Sequence, residues 1–482
     1  MNQAIDPADL DVGPLYAARK KIYPQSVSGT FRNIKWALMA FCLGLYYLLP
    51  FVRWDRGPSA PHQAVLVDFP NKRFYFFFIE LWPQEVYYFT GLLIIAAMAL
   101  FLMNAIGGRI WCGYLCPQTV WTDLFYAVER WIEGDRRTRM HKDSHALTLR
   151  RAFELAAKHG IWLCIAWWTG GAWVLYFADA PTLVGELATG EAPFLAYVWI
   201  GILTLTTYAL AGFMREQVCV YMCPWPRIQA ALTDEWALNV AYRHDRGEPR
   251  TSMRKAEQLR TKGLAAGDCI DCYQCVAVCP TGVDIRAGSQ LGCIQCGLCI
   301  DACDAVMRRV GRPPRLIGYD TEINLARRLE GEPPIYRIVR PRTLVYAAVI
   351  AIAGTMMLYT LLTRASLHVS ALHDRNPLFV SLTDGSVRNA HTVHVLNHRN
   401  EPRTVRLEVD GIAAARVQAV GVQDGTLGIP LISVGPDQTR EVRVLLTVPP
   451  GTKLDRSTPL TFRITDVVDG ETAIATDHFV AR

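Results

Sequence analysis

Eight cysteines dominate the chemistry that this chain could do. They read Cys269-Ile-Asp-Cys272-Tyr-Gln-Cys275-Val-Ala-Val-Cys279-Pro280, then Cys293-Ile-Gln-Cys296-Gly-Leu-Cys299-Ile-Asp-Ala-Cys303. This is C-x2-C-x2-C-x3-C written twice. In a bacterial two-cluster ferredoxin three such thiolates wrap one cubane, and the fourth ligates the other cluster. The spacing therefore predicts one [4Fe-4S] cluster on Cys269, Cys272, Cys275 and Cys303. A second falls to Cys293, Cys296, Cys299 and Cys279. Zinc prefers paired C-x2-C units separated by a longer loop, so doubled ferredoxin spacing argues against it. Pro280 follows the first run, whereas Asp304 follows the second. Asp268, Asp271, Asp301 and Asp304 add negative charge beside the clusters and are expected to lower their potentials.

Four more cysteines form a second pattern. Cys112-Gly-Tyr-Leu-Cys116-Pro117 and Cys219-Val-Tyr-Met-Cys223-Pro224 both read C-x-Y-x-C-P. Each follows an apolar run and precedes a stretch with Thr-Asp, at Thr122-Asp123 and Thr233-Asp234. This is an internal repeat that brings four thiols to one membrane face. On a helix i and i+4 share a face, so each pair could chelate a metal. Thiolates suit Cu(I), zinc or an iron–sulfur centre, and the spacing leaves that choice open. Cys42 and Cys164 lie inside apolar runs and read as packing residues.

The positioning elements are membrane spans. Of 482 residues 51% are hydrophobic and only 20% charged, against roughly 25% charged in soluble domains. Thirteen Trp and nineteen Tyr suit membrane interfaces. A net charge of +6 gives no argument for nucleic acid. Five runs lack Asp, Glu, Lys and Arg: Trp36 to Val52, Val86 to Ile106, Gly160 to Ala178, Ala192 to Met214 and Thr343 to Thr363. Each approaches the ~20 residues that cross a bilayer. About thirty polar residues precede the first, too many for a signal peptide n-region, so it reads as a retained anchor. Residues 107–159 and 215–342 are rich in basic side chains and 179–193 has none. Positive residues face the cytoplasm, which puts the N-terminus in and the C-terminus out. Arg53, Arg56, Lys72 and Arg73 on the outer side are mildly discordant. The aromatic run Phe74 to Phe78 is expected on the membrane surface. No cysteine falls in the regions assigned outside, as metal-binding thiols kept reduced require.

Residues 366–482 change character, with no Cys, many Val and Thr, and Asp-Gly turns at 384, 410, 424 and 469. Alternating runs from His391 to Asn397, Arg403 to Val409, Arg440 to Thr447, Leu460 to Thr465 and Thr472 to Phe479 suggest an immunoglobulin-like sandwich of about seven strands. His391, His394 and His398 could be metal ligands. Solvent-facing strand and turn histidines are the favoured reading. No histidine falls in a span interior, which argues against intramembrane haem. There is no G-x-G-x-x-G after a strand, no P-loop and no H-E-x-x-H.

The stretch Cys279-Pro-Thr-Gly-Val-Asp-Ile-Arg286 through Cys293 to Asp304 closely resembles the CcoG family, also called FixG or RdxA. Asp374-Arg-Asn-Pro-Leu-Phe379 and Thr383-Asp-Gly-Ser-Val-Arg-Asn389 resemble it too. The resemblance covers nearly the whole chain. It implies a cytochrome c oxidase accessory protein of the bacterial inner membrane that reduces Cu(II) to Cu(I) for assembly of cbb3-type oxidase. It implies two [4Fe-4S] clusters on the eight cysteines and copper handling at Cys112, Cys116, Cys219 and Cys223. Copper ions, oxidase assembly factors and a copper-transporting ATPase are the implied partners; the electron donor is open. A relay from quinol to another protein, or a copper chaperone or scaffold without catalysis, are the alternatives. The expected organisation is a cytoplasmic segment (1–35), a four-helix membrane region carrying both C-x-Y-x-C-P motifs (36–264) and a ferredoxin domain (265–310). A cytoplasmic linker (311–342), a fifth transmembrane helix (343–363) and a periplasmic immunoglobulin-like domain (364–482) complete it.

Overall fold

The computed structural model describes residues 21–56, 60–82, 85–399, 401–425, 428–436, 438–452 and 454–481. Residues 1–20, most of the expected N-terminal segment with Arg19 and Lys20, lie outside them. The chain divides into two compact units: residues up to 52 with 63–355, and 53–62 with 356–482.

Among the described residues four helices are long and apolar enough to cross a membrane: Thr30–Phe51, Tyr87–Gly107, Phe194–Met214 and Pro341–Leu362. The remaining expected span, Gly160 to Ala178, falls in a 26-residue helix, Leu149–Val174. The helix ends at Val174, short of the end of the uncharged run, and its first half carries Arg150, Arg151, Glu154, Lys158 and His159, so length and composition alone do not mark it as a span. Gly170 serves packing. A Cβ on Gly170 would stand 2.9 Å from the Ile200 carbonyl of the helix Phe194–Thr207. Close backbone approach of this kind holds helices together where lipid removes the hydrophobic drive. Cys164 is exposed, so it does not pack inside the protein as expected.

The aromatic run after the first span is part of a small sheet. Val65–Asp68, Arg73–Phe76 and Ile79–Leu81 form an antiparallel sheet, with Tyr75 buried and Phe78 exposed.

Charges inside the first unit are paired across elements. Asp123, on the helix Pro117–Glu133, binds Arg32 at 2.8 Å and Lys35 at 3.7 Å near the start of the first span. Asp234 binds Arg340 at 2.6 Å and Arg342 at 3.5 Å at the start of the last apolar helix. The two Thr-Asp pairs thus do the same job, each fastening a repeat to the foot of a span. Glu129 is buried against Arg139 at 2.7 Å, Arg215 at 3.0 Å and Lys158 at 3.9 Å.

The second unit carries a β-sandwich. One antiparallel sheet runs Arg416–Ala419, Thr439–Val448, Val387–Asn397, Leu367–His373, with Val380–Ser381 also beside Val387–Asn397. The other runs Gln423–Asp424, Pro430–Val434, Arg403–Asp410, Ser457–Asp466, Thr472–Val480. All five expected runs are strands. Strand alternation turns Val393, Val395, Leu407, Ile432, Phe462 and Ile464 into one core. His391 differs from the favoured solvent-facing reading. It is fully buried, with Nδ1 3.0 Å from Asp477 and its ring 4.8 Å from that of His373. The alternation that buries Val393 and Val395 buries His391 with them. His394 is only half-buried on the other face.

Candidate iron–sulfur and thiol centre

The ferredoxin segment folds as two cysteine loops, each followed by a helix: Gln274–Ala277 after the first, Leu298–Arg309 after the second. Tyr273, before the first helix, and Gly297, before the second, take left-handed backbone conformations. Two small cavities result. Cys269, Cys272, Cys275 and Cys303 line one, with Tyr242, Arg286 and Ile317. Cys279, Cys293, Cys296 and Cys299 line the other, with Val240, Ile285 and Ile294, and Cys275 reaches its wall. The fourth cysteine of each run therefore stands at the cavity of the other run.

Among the described residues no three His, Cys, Asp or Glu side chains converge on one point as ligands of a single ion. The thiols surround spaces instead, and a cube with a thiolate at each of four corners needs that arrangement. Burial pushes the Cys275, Cys293 and Cys303 thiols up to about 12, and Cys299 well above the usual thiol range. These four thiols hold their protons until a cluster binds, so loading releases them. The donor set, four cysteines around each cavity, fits [4Fe-4S].

The four aspartates have partners of two kinds. Asp268 is paired with Arg312 at 2.7 Å and Arg246 at 2.9 Å. Asp271 is paired with Arg286 at 2.5 Å, and Asp304 accepts the Arg315 N–H at 2.6 Å. Asp301 is buried and accepts the backbone N–H groups of Phe31 at 3.3 Å and Arg32 at 2.8 Å. It caps the first span from outside. A Cβ on Gly29 would run into its carboxylate, so glycine is required there. Asp268, Asp271 and Asp304 thus face arginines, whereas Asp301 keeps its charge against neutral backbone donors.

The first C-x-Y-x-C-P motif is built against the second cluster loop. The helix Tyr87–Gly107 ends at Gly108 (φ 56°), and the short helix Ile110–Tyr114 follows. Arg109 donates its backbone N–H to Gln295 Oε1 at 2.7 Å and its guanidinium to the Leu291 and Pro226 carbonyls at 2.5 and 3.0 Å. Tyr114 donates to the Cys296 carbonyl at 2.9 Å, and Tyr319 to that of Gln295 at 2.5 Å. Gly113 makes the approach possible, because a Cβ there would lie 2.8 Å from the Ile294 carbonyl. Cys112 packs in one apolar cluster with Ile294, Cys296 and Leu298. Burial lifts the Cys112 and Cys219 thiols to about 12. Cysteine spacing pointed to the thiols. It carried no sign of Arg109, Gln295 or Tyr319, which act through the fold.

Comparison with known proteins gives the same chemistry. A 4Fe-4S dicluster domain matches residues 214–322, a 4Fe-4S binding domain residues 89–138, and the IG-like fold at the C-terminal of FixG, putative oxidoreductase, residues 357–482. The nitrogen fixation protein FixG of Rhizobium meliloti is 49% identical over 465 residues, covering 91% of this chain and 88% of the relative. The chain belongs to the FixG/RdxA family. Protein RdxA of Cereibacter sphaeroides is 48% identical over 457 residues and 94% of each chain. The crystal structure of a FixG-related protein from Vibrio parahaemolyticus covers 24% of this chain and 98% of its own at 21% identity, with a TM-score of 0.21. The protein is an iron–sulfur redox protein of this family, built on apolar helices and an Ig-like C-terminal domain.

Proposed function

We propose that the protein is a membrane-bound cupric reductase that supplies Cu(I) for assembly of a cbb3-type cytochrome c oxidase. The observation that carries this reading is the contact of Cys112 with the walls of the second cluster cavity, which puts soft-metal ligands against a one-electron centre. In it Cys269, Cys272, Cys275 and Cys303 hold one [4Fe-4S] cluster, and Cys279, Cys293, Cys296 and Cys299 the other. When bound, each cluster supplies a one-electron store, and Cu(II) needs one electron. Cys112, Cys116, Cys219 and Cys223 are the soft-metal ligands, for copper or another thiophilic metal.

The chain's own residues do the rest. Val240, Ile285, Ile300 and Ile317 keep water from the cradles. Arg286, paired with Asp284 at 2.7 Å and stacked 4.0 Å from the Tyr273 ring, holds the wall of the first. Arg109 and Tyr114 fix the second loop to the paired thiols. The helix Leu149–Val174 is the remaining crossing, seated on Phe194–Thr207 through Gly170. The protein thus crosses the bacterial inner membrane five times, N-terminus inside. Its ferredoxin domain (265–310) is cytoplasmic and its sandwich (364–482) periplasmic. Oxidase assembly factors and a copper-transporting ATPase are its partners.

The test is Cys269→Ser and Cys296→Ser in the producing cell, with oxidase copper content as the readout. The reductase reading expects copper-deficient oxidase. Normal copper loading would overturn it.

A further inference from the structure

The C-x-Y-x-C-P repeat is a repeat in three dimensions. Gly108 and Arg215 occupy equivalent positions and share a rare backbone conformation, φ 56°, ψ −122° and φ 45°, ψ −116°. Only glycine enters that region readily, so Arg215 is held there by its surroundings. Four residues on, Cys112 and Cys219 sit in the turns that follow. Cys116 N–H bonds to the Trp111 carbonyl at 2.9 Å, and Cys223 N–H to that of Val218 at 2.8 Å, each closing five residues back. Cys116 and Cys223 are both extended (ψ 126° and 124°), and each leads through a proline into a helix, Pro117–Glu133 or Trp225–Leu232.

The two hooks also face each other reciprocally. The Cys112 thiol donates to Gln229 Oε1 at 3.3 Å, on the helix that Cys223 opens. Cys219 shares a cavity with Gln118, Thr119 and Thr122, on the helix that Cys116 opens. Gln229 and Thr122 hold the same place in the repeat. Each first thiol is thus turned toward the other hook, as an approximate two-fold axis between them requires. Cys112 is within electrostatic reach of Cys116, Cys219 and Cys223, and Cys219 of Cys116 and Cys223.

We propose that Cys112, Cys116, Cys219 and Cys223 form one site shared by both repeats, and that it holds a third [4Fe-4S] cluster. The inference rests on these thiols being soft-metal ligands, and makes copper the substrate rather than their resident metal. Two hooks closing on themselves would give two sites of two thiolates. Hooks closing on each other give the four that a cluster needs. The 4Fe-4S binding domain matched at residues 89–138 has Cys112 and Cys116 as its only cysteines. It is two ligands short by itself, and the second repeat supplies them. Cys112 is shielded by Trp111, Trp225 and the second cluster loop, and the other three thiols are partly buried.

The test is iron and acid-labile sulfide per full-length chain, purified without oxygen. The proposal expects about twelve iron atoms, falling by about four in Cys112→Ser and equally in Cys223→Ser, one ligand from each repeat. Retention of the other eight shows that the variants fold. A wild-type value of about eight, unchanged in both variants, would overturn it. So would Cu(I) in place of the extra iron, bound by the wild type and lost in the variants, an outcome that leaves the reductase reading standing. Cys42→Ser, outside the site, keeps the wild-type count.

Discussion

Tyr114 donates its hydroxyl to the carbonyl of Cys296 at 2.9 Å, and both residues are buried. Its counterpart in the second repeat, Tyr221, is 71% exposed. The same letter in the same motif therefore has two fates. Tyr114→Phe leaves a buried carbonyl unpaired and is expected to cost roughly 1–3 kcal/mol. Tyr221→Phe is expected to stay within about 0.5 kcal/mol. Thermal unfolding of the two variants, followed at the cluster absorbance, checks the contrast. Equal shifts would contradict it.

Asp301 ties the ferredoxin helix to the first span. Replacing it by Ala removes the acceptor for two helix N–H groups, a change that typically costs about 1 kcal/mol. Asp301→Asn keeps an acceptor and is expected to lose less. Because the cap joins distant segments, limited proteolysis is expected to cut the ferredoxin segment faster in the Ala variant. Unchanged cleavage would show that the contact does not hold the two together.

Arg215 combines a strained backbone with a buried ion pair. Arg215→Gly relieves strain of about 1–3 kcal/mol. It also takes from Glu129 one of three cations, and breaking a buried pair costs roughly 3–5 kcal/mol. Pairing outweighs strain, so the variant is expected to unfold at lower temperature, with Arg215→Lys in between. A more stable Gly variant would reverse that ranking.

His391 makes the sandwich sensitive to acid. Burial depresses its protonation below the usual imidazole range, while Asp477 opposes the shift. Between the lowered folded value and the ordinary ~6.5 the unfolded chain binds the extra proton. Stability from this group is therefore full above ~6.5 and falls as pH drops, by up to about 1.4 kcal/mol per pH unit. His391→Gln is expected to flatten the difference in sandwich unfolding between pH 7.5 and 5.5. An unchanged difference would place the acid sensitivity elsewhere.

Much of this was legible in the residues. Cysteine spacing foretold the exchange of Cys279 and Cys303 between cavities, because the geometry of a two-cluster ferredoxin is local. Alternation foretold the strands, because strand period is local too. What escaped was long-range. Nothing beside Asp301 in sequence marks Arg32 as its partner, and nothing beside Gln295 marks Arg109. His391 looked like a surface histidine because its partner, Asp477, lies 86 residues away. The run from Gly160 looked like its neighbours, yet Gly170 and the buried Trp162 serve helix packing.

The central claim is that reduced clusters in this protein give single electrons to Cu(II). The direct measurement is anaerobic: reduce the purified protein, remove excess reductant, add Cu(II), and follow cluster absorbance beside a Cu(I)-specific chelator. Reoxidation of the clusters matched by Cu(I), and absent in the Cys269→Ser and Cys296→Ser double variant, is the predicted result. Clusters that stay reduced while Cu(II) persists would contradict it.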